Sequence, residues 1–305
     1  MLRRAMFSIL VLTVTAVLAG IPAGGQVMAQ AAPPATQSPA GKPPAGTPAK
    51  QIKRDEVFFS IGRRVNEASE SQVSAVVAEV DGVIEVTGIT YREDGKAEVT
   101  VKERAQSNAS STNKSIKLVF APPATGDKWI WEQFEDNRRL YPVERLFPYA
   151  KAELTKRKQN TVGTWSAFLA SIVRQGESAS KVLDTAKAII KTDTPQAAAV
   201  TAARTALNEA MKENKFDETI EAYNALAAQT EPILALGDTY TDLKANDAYL
   251  RLLEEFKNSA NTTNAQRKNY VQAVETYNEA LQRLPYGLVA YGLQFTRIEP
   301  KVTAE

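Results

Sequence analysis

Apolar positions change their spacing twice along this chain. From Asp55 to Val80 they fall in steps of three and four. Val57, Phe58, Ile61 and Val65 are followed by Val73, Val76, Val77 and Val80, which predicts a helix interrupted around 66–71. The period then shortens to two. Runs at Val83–Tyr91, Ala97–Ala105, Ser115–Ala121 and Lys128–Asp136 read as strands, and Val99 and Val101 alternate with Glu98, Thr100 and Lys102. That alternation gives one buried and one wet face. Asp94-Gly95 marks a tight hairpin, because both residues accept positive φ; a polar stretch near 106–113 and the turn before Lys128 complete the connections. The region 55–151 is therefore expected to be α+β, a helix plus a four-stranded antiparallel meander. This order resembles the cystatin-like and NTF2-like folds. Pro142 and Pro148 mark 137–151 as an irregular junction.

Beyond residue 152 the helical period returns in sequence rich in Ala, Leu, Glu, Lys and Gln, all good helix formers. Four segments are predicted. The first runs from about Val162 to Ile190, with a bend or split at Gly176. The second follows Thr194 as N-cap and Pro195 as first helical residue. The third spans roughly Asp217 to Leu236, disturbed near Pro232 and stopped by Gly237. The fourth begins after Asn246, whose side chain can accept from the first-turn amides. From Tyr270 the apolar steps are four, three, four and three, through Val274, Tyr277, Leu281 and Leu284. This is a seam repeating near 3.5 residues. One helix over 246–284 would be about 58 Å long, with a break near Asn261 as the alternative. The expected fold of 152–305 is an elongated antiparallel helical bundle.

The N-terminus has another pattern. Arg3 and Arg4 precede an apolar run from about Ala5 to Gly20, and Ala29-Gln30-Ala31 offers a small-residue cleavage site. Residues 1–31 are thus expected to be a signal peptide or a retained membrane anchor. Residues 32–54 are Pro- and Ala-rich, an extended linker with too little apolar surface to fold. The expected location is the cell envelope or periplasm.

Composition narrows the chemistry. The 305 residues contain no His and no Cys, so no Ser-His-Asp triad, zinc helix, thiolate nucleophile or disulfide can be built. Lys and Arg number 37 against 35 Asp and Glu. This balance lacks the basic footprint of a nucleic-acid binder. No phosphate-cradling glycine loop or nucleophile elbow is present. Trp129 and Trp131 share one strand face and are candidate pocket residues, although large aromatics more often serve packing. Glu132 and Glu135 are the nearest candidate acids, with Glu132 on the opposite face. Lys151–Lys158 is a basic run that reads as a solvated helix face able to meet anionic lipid or cell-wall polymer.

The C-terminal motifs carry a resemblance. Leu243-Lys244-Ala245-Asn246 is followed in register by Asn261, Arg267, Tyr270, Val274, Tyr277, Asn278 and Pro285. This resembles the LemA family over about 162–295. Thr241 stands where the family has proline, Ala260 where it has Glu, and Val271 where it has Asn. The family's Arg-x-Asp-Leu element has no counterpart around Trp165. The resemblance implies a helical bundle beside an N-terminal membrane segment, facing out of the cytoplasm and with no assigned reaction. Lys244, Asn246, Asn261, Arg267, Tyr270, Tyr277 and Asn278 become candidate structural or interaction residues. The expectation is a non-enzymatic interaction or scaffolding protein without cofactor or metal. Its partners would be an envelope protein, the membrane surface or a second copy of the chain, and not nucleic acid. A small-ligand pocket or enzyme in the α+β region is the alternative.

Overall fold

Two helices, rather than the single interrupted one expected, precede the sheet. In the computed structural model, which describes residues 50–104, 114–124, 128–300 and 302, α1 spans Arg54–Ser69 and α2 spans Val73–Val83. Glu70 adopts a left-handed conformation at φ 59° and stops α1, so the polar interruption is a true chain reversal. The proposed signal or anchor and most of the proposed linker lie outside the described residues, as does all of the polar stretch 106–113.

The sheet has five strands where four were expected. They are β1 (Ile84–Tyr91), β2 (Ala97–Glu103), β3 (Ser115–Ala121), β4 (Ile130–Asp136) and β5 (Arg139–Pro142), antiparallel and in sequence order. Gly95 takes φ 80° in the β1–β2 hairpin, as its turn demands. β5 is the correction to the junction expected there. Asn137 and Arg138 both adopt positive φ, at 49° and 62°. This is the left-handed pair of a tight hairpin, made without the glycine that usually announces it. Ile84, Val99, Val101, Leu118, Phe120, Trp129 and Trp131 are buried beneath α1 and α2 in a first core. The other face carries the charges. Lys96 pairs with Glu132 at 2.8 Å and Lys117 with Glu98 at 2.6 Å.

The helical region opens earlier than its periodicity suggests. α3 runs unbroken over Leu146–Ile190, 45 residues and about 67 Å. Pro148 is tolerated because it occupies the first turn, where the missing N–H has no intrahelical partner. Gly176 does not split α3. A Cβ there would lie 3.0 Å from the Arg204 side chain, so the glycine lets the next helix approach closely. That helix is α4 (Pro195–Lys212), starting as expected after Thr194. The third segment is not one helix. It divides into α5 (Phe216–Ala227), α6 (Thr230–Leu234), α7 (Leu236–Thr239) and α8 (Thr241–Lys244), and Gly237 lies inside α7 rather than stopping a helix. α9 (Asp247–Ala280) is continuous through the polar 257–269 and ends four residues before the expected 284.

α3 and α9 run antiparallel. Trp165 meets Tyr270, Ser171 accepts from Thr263, and Leu154 packs with Ala280, so one number rises as the other falls. A second core fills the space between α3, α4, α5 and α9, around Phe168, Ile172, Leu207, Tyr223, Phe256 and Val274.

The segment after α9 joins the cores. Leu284, Leu288 and Val289 belong to the first core, Ala290 and Phe295 to a small third cluster with Leu154, and Ile298 and Val302 to the second. The sheet and the helices thus share one compact unit, and residue 151 falls inside α3. Gly292 permits the closest approach. A Cβ there would stand 2.0 Å from Cγ1 of the fully buried Val65. We predict that Gly292→Ala destabilises the protein by about 1–3 kcal/mol. Adding Val65→Ala should recover part of the loss in a double-mutant cycle followed by urea denaturation, because it removes the obstructing methyls.

Candidate functional site

The candidate residues divide into three groups. At the start of α9, Asn246 is a true N-cap, and its side-chain oxygen accepts from the Tyr249 amide at 3.0 Å. Asp247 in the next position adds negative charge at the positive end of the helix dipole. Lys244 reaches back to Asp238 at 2.8 Å, with both groups exposed. The Leu-Lys-Ala-Asn string is therefore a one-turn helix, its buried Leu243 and a capped restart. Asn261 lies exposed in the polar middle of α9 and is not brought to any other candidate.

The second group surrounds Trp165. Its ring is 5.0 Å from Tyr270, 5.3 Å from Phe216 and 5.8 Å from Phe168, which meets Tyr223 edge-on at 5.1 Å. The Arg267 guanidinium lies near the Tyr223 hydroxyl, and its buried Nε has no hydrogen-bond partner among the described residues. Burial raises the Tyr223 phenol pKa, and the nearby guanidinium partly opposes that rise. Arg267 and Tyr270 thus pin α9 to α5 and α3. Two departures from the family pattern, Ala260 and Val271, are also buried on α9, where small or apolar side chains pack.

The third group faces the C-terminal segment. Asn278 makes two reciprocal bonds with Ile298, donating from Nδ2 to its carbonyl at 2.6 Å and accepting its amide at 2.9 Å. Tyr277 is fully buried and donates to the Thr296 carbonyl at 2.9 Å. Burial alone raises its phenol pKa. Asn278 was expected to tie helices together; it ties α9 to an extended strap instead.

Trp129 and Trp131 both lie in the first core, 1% and 0% exposed, and line none of the four main clefts of the described residues. Trp131 donates its indole N–H to the Gln133 carbonyl. The Trp129 ring approaches Tyr91 at 6.5 Å. Glu132 is held by Lys96, and Glu135 accepts the Lys117 amide at 3.0 Å. Among the described residues no group of acidic side chains is arranged to hold a metal ion.

The contacts that join sheet and bundle escaped the sequence reading. Buried Glu103 accepts the Leu284 amide at 2.9 Å. Lys114 donates to the Leu284 carbonyl at 2.9 Å, and Ser71 to the Gly292 carbonyl at 3.1 Å. The available signal was the pair Gly287 and Gly292 inside an apolar tail, a pattern that invites close backbone approach. Nothing in the sequence itself pairs that tail with the sheet.

Residues 164–304 match the model of the LemA family. No curated protein and no solved structure matches the chain. Among the described residues, no helix is long and apolar enough to cross a membrane.

Two outcomes follow from these placements. Asn278→Ala should cost about 2 kcal/mol, since two hydrogen bonds are lost and the Ile298 polar groups are left unpaired. Asn246→Ala should cost about 1 kcal/mol. Both are measured as shifts in urea midpoint. Stability should also fall in alkali. Burial raises the phenol pKa of Tyr223, Tyr249 and Tyr277 above the ordinary value of 10.0. The unfolded chain releases those protons first, so the stabilisation is complete below about pH 10 and is lost as pH climbs through the folded-state values. Denaturation midpoints measured from about pH 8 upward should hold and then decline. Tyr277→Phe should make that decline shallower.

Proposed function

We propose, with the LemA family match of residues 164–304 as the premise, that this chain is an exported cell-envelope protein. Its bundle serves as a non-enzymatic interaction or scaffolding module at the membrane surface. The N-terminal order of Arg3 and Arg4, apolar run and Ala29-Gln30-Ala31 supports export. One observation carries the non-enzymatic reading. Three polar side chains that the family motif supplies are spent on the fold itself: Asn246 on a cap, Tyr277 on Thr296 and Asn278 on Ile298. What is left outside is area. α3 and α9 offer long solvent faces, with Val162 and Leu250 61% and 41% exposed.

The pocket alternative has less support. Its candidate lining, Trp129 and Trp131, is part of a filled core, and its candidate acids, Glu132 and Glu135, are engaged on the other face.

Site-specific photo-crosslinking tests the proposal. The full chain carries a photoreactive residue at Val162, Leu250 or Asn261 in intact cells. Discrete adducts should form from at least one position on the bundle, and the protein should fractionate with the envelope. Recovery in the cytosolic fraction, or no adduct above an unirradiated control from any position, would refute it. Shortening the chain at residue 152 is a poor test, because it cuts α3 and removes the tail from the first core.

A further inference from the structure

Beside the joint between sheet and helices lies a cleft of about 440 Å³, lined by Lys114, Arg157, Thr276, Glu279, Arg283 and Tyr286. Three cations and one carboxylate supply its charge, in a chain whose net charge is only +2. The cations come from separate elements. Lys114 precedes β3, Arg157 projects from the basic run of α3, and Arg283 follows α9. Packing of α3 on α9 brings Arg157 near Arg283, and the bond from Lys114 to the Leu284 carbonyl brings the start of β3 to both.

Each cation is steadied without being used up. Lys114 donates to the Leu284 carbonyl at 2.9 Å and lies 3.9 Å from Asp136. Arg157 directs Nε and Nη2 to a single oxygen of Glu153, at 2.8 and 2.7 Å. Arg283 directs Nη2 to Glu279 at 2.8 Å. Each guanidinium thus retains a whole terminal amino group, two donors, for another acceptor. The three side chains are 40%, 34% and 49% exposed. At such exposure an ion pair contributes well under a few kcal/mol, so an incoming anion competes with it cheaply. Tyr286 closes one wall; its ring lies 5.7 Å from that of Tyr149, and burial together with the Tyr149 hydroxyl holds its phenol protonated.

We propose that this cleft is a binding site for a phosphate-bearing ligand, with Arg157 and Arg283 gripping the phosphate oxygens through their free amino groups and Lys114 supplying a third charge. Guanidinium forks match phosphate geometry, and three converging cations suit a group carrying more than one negative charge. A lipid headgroup and a soluble phosphate share this chemistry. The proposal does not depend on the scaffolding role, because it is read on purified protein.

The test uses the full-length protein and two probes: inorganic pyrophosphate by titration calorimetry at low salt, and co-sedimentation with phosphatidylglycerol vesicles against neutral phosphatidylcholine. Saturable one-site binding of pyrophosphate, weakened at least tenfold by Arg157→Gln with Arg283→Gln, would identify a soluble phosphate site. Binding of the anionic vesicles alone, reduced likewise, would identify a headgroup site. Any contribution of the N-terminal apolar segment to vesicle binding is common to both proteins and cancels. Thr276→Glu places a carboxylate in the cleft at an exposed position and leaves every ion pair intact. It should abolish binding even if the double substitution fails to fold. Lys156→Gln with Lys158→Gln removes neighbouring cations that do not line the cleft and should change affinity less than twofold. Absence of saturable binding to both probes overturns the proposal. So does an equal loss from the Lys156 and Lys158 substitutions, which would mean diffuse surface charge.

Discussion

Burial of the tail beneath the sheet is the constraint on which the rest of this fold depends. Leu284, Leu288 and Val289 are at most 2% exposed in the first core. Each contributes about 1.5–3 kcal/mol by leaving water. Together they rival the net stability of an ordinary domain. The same segment then seals the third cluster with Ala290 and Phe295 and reaches the second core with Ile298 and Val302. One strap of chain therefore crosses every apolar cluster. Neither the sheet nor the bundle completes its core without it.

Hydrophobic burial alone would not set where the strap lies, because it has no direction. The direction comes from polar groups. Glu103 takes the Leu284 amide, Lys114 the Leu284 carbonyl, Tyr277 the Thr296 carbonyl, and Asn278 both backbone groups of Ile298. A buried polar atom that loses its partner bears the full cost of desolvation. Shifting the strap by one residue would strand several such atoms together. The polar residues of the C-terminal motif thus specify register while the apolar ones provide most of the stability. This is why Tyr277 and Asn278, adjacent in sequence, do different work on the same target.

The legible parts of the sequence were those governed by local rules. α9 could be read because a capping Asn and a repeating seam act within one helix, and β1 to β4 because alternation and an Asp-Gly turn act between neighbours. The failures share a cause. Glu70 and the Asn137-Arg138 pair adopt positive φ without glycine, so the break before α2 read only as an interruption of one helix and the hairpin before β5 left no mark. Pro148 and Pro232 looked like breakers but stand in first turns. Gly176 looked like a possible split, yet α3 runs through it and Arg204 approaches it closely. Among the candidate residues, Asn246, Tyr270, Tyr277 and Asn278 have definite structural partners, Arg267 lies beside Tyr223, and Asn261 is exposed. The tryptophans were legible as a face but not as a filled one, since filling depends on α1, α2 and the tail arriving from distant parts of the chain.

The joint also separates what stability needs from what it does not. Glu103 and Tyr277 are buried, and their bonds to the strap account for their presence. Arg157 and Arg283 are different. Each is bound only to a carboxylate one turn away on its own helix or just beyond it, so neither links the sheet to the bundle. Exposed pairs of that kind add a few tenths of a kcal/mol. Their mutual repulsion across a shared cleft opposes that gain. Folding therefore gives little reason to gather Arg157, Arg283 and Lys114 around one opening. Only Lys114 among them repays its position through a contact that holds the strap. A negatively charged occupant would turn the repulsion between the cations into shared attraction.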